Sequence, residues 1–394
     1  MYIYIYLICI YFQLEEGKIY KMAKDAAAVI SPESYPMVGG DGDHSYAKNS
    51  RYQREVVDAA KEILYEAISN KLDLKSLGLI EASKTFQLAD LGCSVGPNTF
   101  IAVQNIIEAV ELKYQAEAQH HQDPSSALEF QVFFNDHIGN DFNVLFRSLP
   151  PSRKYFAAGV PGSFHGRLFS KSSLHVVHSS NALHWLSKVP KDIVDSKSPA
   201  WNKESIYCTG YVKEVAEAYA AQFKNDMDSF LNARAQELVP GGLMVIVLPN
   251  LPNGVPMSDS SEGKIYDFLG SCLVDIAKMG LIPEEKVESF NFPIYYPTAK
   301  EFLGIIERNG SFSIEKMEIL SNPAILNMKF SAEFVTSNIR AVFEGIIKEH
   351  FGSELVDQIF SHFTKNFAEN AFILEDIKDQ KKDNSFFLLK RIVN

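Results

Sequence analysis

The stretch Phe86-Gln-Leu-Ala-Asp-Leu-Gly-Cys-Ser-Val-Gly-Pro-Asn-Thr99 decides the fold. Phe86, Leu88 and Leu91 suit a buried strand, and Gly92 and Gly96 allow a tight turn with close backbone approach. Pro97 and Asn98 stand where a helix begins. Asp90 then falls at the carboxyl end of the strand, the edge at which open α/β sheets bind ligands. A turn of this composition is also compatible with a purely structural role.

The glycine spacing narrows the ligand. A dinucleotide fingerprint needs G-x-G-x-x-G, so that a pyrophosphate can rest on the helix N-terminus. Here the pattern is D-x-G-x-x-x-G-P-N, without a phosphate cradle. That form suits S-adenosylmethionine, whose zwitterionic methionine and phosphate-free adenosine can be received by a carboxylate and backbone groups.

The 394 residues can bury a large core, and 46% hydrophobic with 22% charged content places the chain among globular rather than disordered or fibrous proteins. A net charge of −11 and no concentration of Lys and Arg exclude a nucleic-acid surface and favour small-molecule chemistry. Cys9, Cys93, Cys208 and Cys272 are too few and too scattered for a disulfide framework or a zinc site, which points to a reducing, cytoplasmic setting. Cys93 lies inside the turn with nothing near it in sequence to activate a nucleophile.

Met1 to Phe12 is apolar but lacks a basic leader and a small-residue cleavage site, and it is too short to span a bilayer. Met22 opens a more ordinary Met-Ala-Lys start, so residues 1–21 read as an upstream extension or a misplaced start; a membrane-seeking anchor is the competing reading. Residues 1–35 are expected to lie outside the fold, with 36–394 as one domain and no membrane partner.

Working outward from the opening stretch, a flexible Gly39-Gly-Asp-Gly42 precedes Tyr52–Leu72, where Val56, Val57, Ala60, Ile63, Leu64, Ala67 and Ile68 recur at helical spacing. The strand Phe86–Gly92 leads into a helix from about Asn98 to Tyr114, with Val103, Ile106, Ile107 and Val110 on one face, then a loop over Gln115–Ser126. The strand Phe130–Asp136 again ends in a carboxylate and is followed by helical spacing over Asn140–Phe146. Further strands are predicted over Tyr155–Gly162, Ser173–Ser179 and Leu243–Pro249, the last after a Pro240-Gly-Gly242 turn, and strand-like runs follow at Phe312–Leu320 and Ser385–Ile392. Long helices are predicted over Gly263–Met279, Thr298–Asn309 and Ala332–Phe367. Strands alternating with helices predict a mostly parallel sheet. The later helices read as a cap, about 255–311 and 321–383, over the ligand-binding edge.

Five local sequences occur in one order: Ser45-Tyr-Ala-Lys-Asn-Ser50 with Gln53, Ala89-Asp-Leu-Gly-Cys-Ser94 with Gly96-Pro-Asn98, Phe134-Asn-Asp136, Gly159-Val-Pro-Gly-Ser-Phe164, and Ser179-Ser-Asn-Ala-Leu-His-Trp-Leu-Ser187. Together they resemble the plant SABATH methyltransferases over about residues 36–394. The resemblance implies a class I S-adenosylmethionine-dependent fold, Rossmann-like with a seven-stranded sheet, a homodimer, and methylation of small carboxylic acids or, in a sub-branch, of purine-alkaloid nitrogens. It places Tyr46, Asp90, Cys93, Asn98, Asp136, His137, Ser163 and Phe164 around the cofactor. Asp136 has an independent rationale, since a carboxylate ending the second strand can accept from both ribose hydroxyls. The alternative is an N-cap role before the helix that begins near Asn140.

For the acceptor, the resemblance implies that Gln53 and Trp185 hydrogen-bond the substrate carboxylate. The indole N–H only donates and the amide NH₂ can donate, so the pair orients an anion without neutralising it. Trp185 could otherwise be a core aromatic, and the neighbouring His184 a structural histidine. Asn181 holds a pocket position where the family often has Tyr, which opens the identity of the substrate. Tyr266 and Ile294 are expected to help shape the pocket. Asn202, Glu288, Phe290 through its carbonyl, and Asn291 match an oxygen-rich cation site suited to Mg²⁺. Glu288 stands where Asp is commoner, and Glu285-Lys-Val-Glu288 also reads as a solvated helix end.

The reaction expected is displacement at a sulfonium methyl by a carboxylate oxygen. A carboxylic acid of pKa about 4 is already ionised near pH 7, so no general base is required. N-methylation of a purine and a non-catalytic acid-binding homologue are the alternatives, and the Gln53–Trp185 pair weighs against the first.

Overall fold

The computed structural model describes residues 36–80, 85–117, 128–203, 205–320, 331–370 and 383–392. Its strands are β1 (Thr85–Leu91), β2 (Glu129–Asp136), β3 (Tyr155–Pro161), β4 (Leu174–Ser180), β5 (Leu238–Asn250), β6 (Phe312–Ile319) and β7 (Asp383–Arg391). They form one sheet in the order β3-β2-β1-β4-β5-β7-β6. Strands β1 to β5 pair in parallel, and β7 runs antiparallel to both β5 and β6. Each strand expected from the apolar runs is present.

The helices are α1 (Tyr46–Asn49), α2 (Arg51–Lys71), α3 (Pro97–Glu117), α4 (Phe142–Arg147), α5 (Lys213–Glu237), α6 (Ser261–Lys278), α7 (Glu284–Glu288), α8 (Ala299–Asn309), α9 (Ala332–Phe351) and α10 (Val356–Glu369). Successive strand residues point to opposite faces, so each central strand feeds two cores. Phe86, Leu88, Leu243, Val245, Val247, Phe386 and Leu388 pack with residues of α2 and α3 on one side. Ala89, Leu91, Met244, Ile246, Leu248, Phe387 and Leu389 pack with residues of α5 and α8 on the other. Burial on both faces is why these strands read as unbroken apolar runs.

Two expectations change. The sequence reading passes over α5, although Val215, Tyr219, Phe223 and Met227 recur every four residues and are buried. The single helix expected over 332–367 is two, because Gly352 takes φ +104 and ends α9.

A third cluster joins α6, α9, α10 and the 290–296 segment, through Tyr266, Leu269, Phe292, Val335, Phe343 and Phe363 among others. The segment before α1 and α1 itself are tied to α9, by Val38 N–H to Ala341 O (2.9 Å) and by Asn338 Nδ2 to Asn49 O (2.8 Å). Helix α8, inside the expected cap range, instead sets Phe302, Ile305 and Ile306 against the sheet, so the cap range is too wide there. Of the loop expected over 115–126, residues 115–117 continue α3. The 1–35 extension, the 118–126 remainder of that loop, and the 321–330 and 371–382 parts of the expected cap lie outside the described residues. No helix among the described residues is long and apolar enough to cross a membrane.

Candidate functional site

The connections from β1 and β4 leave toward opposite edges of the sheet, and such a switch point opens a crevice at the strands' carboxyl ends. The backbone turns sharply at both strands: Gly92 has φ +80 and Ser94 +51 after β1, and Asn181 has +52 after β4. A Cβ on Gly92 would lie 2.4 Å from Ala182 Cβ, so close approach as well as backbone conformation requires glycine there. Gly96 differs from expectation. A Cβ there would meet nothing nearer than 3.5 Å, and the second left-handed residue of the turn is Ser94.

A chamber of about 400 Å³ opens beside this turn, lined among others by Tyr46, Asp90, Cys93, Asn98, Thr99 and His178, with no Lys or Arg in its wall. Both oxygens of Asp90 are bonded within the protein. Its Oδ1 lies 2.6 Å from His178 Nδ1, and its Oδ2 accepts from the Thr99 hydroxyl. Asn98 donates its amide to the Ser50 carbonyl (3.0 Å) and hydroxyl (2.9 Å), which ties the start of α3 to the α1–α2 junction and leaves its oxygen for a ligand. Burial pushes the Cys93 thiol up, with Asp136 and Asp90 adding to the effect, so it is a packed side chain and not a nucleophile.

Asp136, His137, Ser163 and Phe164 approach the turn from β2 and β3 and are not part of that chamber's wall. Asp136 Oδ2 accepts from Ser94 N–H and Oδ1 from His137 N–H, both at 2.7 Å. Burial lifts its carboxyl from the ordinary 3.8 to about 6, against the two N–H bonds that lower it and with Asp90's charge adding to the rise. The helix-cap alternative for Asp136 fails, since Asp141 is the residue that accepts from Val144 N–H at the start of α4. Burial depresses His137, which keeps its ring neutral.

The sequence reading missed the residues that hold these loops. Asn135, fully buried, donates to Val160 O (2.7 Å) and Gly162 O (2.9 Å), while its carbonyl accepts from Gly92 and Cys93. Arg234 of α5, also fully buried, donates to Phe164 O (2.9 Å), Gly166 O (2.8 Å) and Glu237 Oε2 (2.7 Å). Glu237 Oε1 in turn accepts from Leu168 and Phe169 N–H. A buried charge needs such partners, and here they clamp the loop that carries Ser163 and Phe164. The i,i+4 spacing of α5, followed about two turns on by Arg234 and then by Glu237, is the signal that marks them.

A second chamber of about 930 Å³, partly open to solvent, adjoins the first and shares Tyr46, Gln53 and Asn181 with it. His184, Trp185, Tyr266, Ile339 and Phe343 are among its other lining residues. Trp185 lines the chamber and also packs on Phe343, ring centroids 5.7 Å apart. The His184 ring lies 5.2 Å from that of Tyr296. Gln53 Oε1 is buried without a hydrogen-bond partner, so its amide can present either end to a ligand. Ile294 lines a neighbouring cavity instead, across the Tyr266–Tyr296 hydroxyl pair (3.2 Å).

The expected cation set does not fit as found. Asn202 turns its amide nitrogen, not its oxygen, to Asn291 Oδ1 (2.7 Å) and to Tyr207 O (2.9 Å), and Tyr219 OH also approaches Asn291 Oδ1. A hard cation needs those oxygens as ligands. Phe290 is buried in the aromatic cluster of α9, and Glu288 ends the short helix α7. Among the described residues no group of three or more His, Cys, Asp or Glu could hold a metal.

Comparison with known proteins agrees with this geometry. Residues 32–392 match the sequence family described as SAM dependent carboxyl methyltransferase. Loganic acid O-methyltransferase of Catharanthus roseus is 48% identical over 361 residues, 91% of this chain and 95% of that protein. Farnesoic acid carboxyl-O-methyltransferase of Arabidopsis thaliana is 47% identical over 327 residues, 83% of this chain and 90% of that protein. A solved structure of loganic acid methyltransferase with SAH superposes with a TM-score of 0.85, at 48% identity, covering 91% of this chain and 99% of that one. The chain belongs to the S-adenosylmethionine-dependent carboxyl methyltransferases, the SABATH family.

Proposed function

We propose that the protein transfers a methyl group from S-adenosylmethionine to the carboxylate of a small plant acid, giving a methyl ester and S-adenosylhomocysteine. The observation that carries this reading is the wall of Tyr46, Gln53 and Asn181 shared by the two chambers, which sets a donor in one against an acceptor in the other. The cofactor supplies an electrophilic methyl on a positively charged sulfur. The first chamber suits it, with carboxylates nearby, no cationic wall residue and no phosphate cradle.

In this reading Tyr46, Asp90, Cys93 and Asn98 surround the methionine end, and Asp136, His137, Ser163 and Phe164 the adenosine, with Asp136 accepting from the ribose hydroxyls. Gln53 and Trp185 donate to the acid's carboxylate, while Asn181 and His184 border the rest of the acid. An ionised acid needs no base, so the protein's part is alignment and exclusion of water. Alignment of this kind contributes about 7–11 kcal/mol. Magnesium has no step in this reaction. A homodimer completes the reading, and sedimentation tests it.

The test is incubation of the purified chain with methyl-labelled S-adenosylmethionine and a panel of plant acids. A base-labile labelled ester is expected. A base-stable methylamine from a purine, or no transfer to any acid, overturns the reading.

A further inference from the structure

Asp90 stands where a cofactor-facing carboxylate is expected, yet it is only 4% exposed and bonded within the protein on both oxygens. Its partners come from two other elements: His178 from β4, the strand across the switch point, and Thr99 from the first turn of α3. They are 5% exposed each. All three side chains border the same chamber. Asp90 therefore knots two adjacent strands to the helix whose preceding turn, Gly92–Gly96, borders the ligand.

His178 Nδ1 faces Asp90 Oδ1 at 2.6 Å, the short distance of a charge-assisted hydrogen bond, in which the imidazole donates to the carboxylate. Without that donor a buried carboxylate is left partly unpaired, and it must rotate toward another one. Rotation breaks the bond that its Oδ2 accepts from the Thr99 hydroxyl and frees the first turn of α3. The Gly92–Asn98 turn has little slack to absorb this, since Gly92 and Cys93 N–H are already bonded to Asn135 O and Gly92 abuts Ala182.

We propose that His178 is a positioning residue for the cofactor: its Nδ1–H sets the orientation of Asp90 and, through Thr99, the geometry of the turn that receives the methionine end. This rests on reading the first chamber as the S-adenosylmethionine site. His178 acts at one remove, and the acid's chamber does not include it.

Three substitutions in the full-length chain separate the ring nitrogens. His178→Asn keeps an N–H donor near the Nδ1 position, His178→Gln carries one toward Nε2, and His178→Leu has none. Affinity for S-adenosylhomocysteine is measured by calorimetry without acid, and initial rates are measured with each substrate varied in turn. The Asn variant is expected to bind like the unaltered protein, and Gln and Leu roughly 10- to 100-fold more weakly, the loss for a hydrogen bond to a charged group. The KM for S-adenosylmethionine should rise by the same factor while kcat and the KM for the acid hold. Equal affinity in all variants, retention by Gln with loss in Asn, or a shift confined to the acid's KM overturns the proposal. If Leu does not fold, the Asn–Gln contrast decides alone. Failure of the unaltered protein to bind S-adenosylhomocysteine would instead overturn the cofactor reading.

Discussion

Asp136→Asn separates folding from cofactor binding, and pH separates both from a generic defect. In the protein Asp136 accepts one backbone N–H on each oxygen, from Ser94 and His137, both at 2.7 Å. An amide has one oxygen, so one N–H must face an NH₂ group. That cost, about 1–3 kcal/mol, falls on folding. Binding loses the charge in two ribose hydrogen bonds, each about half as strong with a neutral acceptor. Affinity for S-adenosylhomocysteine should therefore fall by roughly 10- to 100-fold.

The unaltered protein carries its own internal control. Its carboxyl is raised to about 6 by burial, and ribose hydroxyls favour the ionised form. Below about pH 6, affinity should weaken toward tenfold per pH unit. Stability has the opposite sign. Because the folded pKa exceeds the ordinary 3.8, the cofactor-free fold binds more protons than the unfolded chain between those values, and this contribution to stability is lost as pH rises through about 6. The Asn variant should lack both limbs. Calorimetric titration with S-adenosylhomocysteine across about pH 5 to 8 reads the first, and thermal melts the second. Affinity that is flat over this range, or a limb that survives in the Asn variant, refutes the reasoning.

Trp185→Phe keeps the contact with Phe343 but removes the N–H, so kcat/KM for the acid should drop about 10- to 100-fold with little change in melting temperature. Unchanged ester formation would remove Trp185 from the clamp. Gly92→Ala adds a Cβ 2.4 Å from Ala182 Cβ at a left-handed backbone, so it should abolish S-adenosylhomocysteine binding and lower the melting temperature; wild-type binding would count against the packed turn. Arg234→Ala leaves Glu237 as an unpaired buried charge, with a cost of about 3–5 kcal/mol by denaturant unfolding. Because Asn202 and Asn291 are bonded to one another, chelation should leave the rate unchanged, and a loss restored by Mg²⁺ would show that the amides rearrange around an ion.

Much of the fold is legible along the chain because it depends on near neighbours. Short apolar runs marked β1 to β7, and helical spacing marked α2, α3 and α6. The same spacing over Val215–Met227 went unread where no turn or cap announced a helix; α5 has no side-chain cap at its N-terminus. Ala332–Phe367 read as one helix because a single glycine in an otherwise apolar run does not announce whether it will take a positive φ.

The site divides in the same way. The sequence by itself determined the strand-turn-helix at Phe86–Thr99, the carboxylate ending the second strand, the absence of a phosphate cradle and the five ordered motifs, and hence the family. Only the tertiary structure decided what those groups do to one another. Asp90 and His178 are 88 residues apart in sequence, and parallel pairing of β1 with β4 brings them to 2.6 Å. Arg234 reaches the Phe164 carbonyl across 70 residues, and Asn202 meets Asn291 across 89. Hydrogen bonds at such separations depend on strand order and helix placement, which no local period encodes. A chain that spells out its strands and its turn therefore leaves to its packing which carboxylate meets a ligand and which is bound by the protein itself.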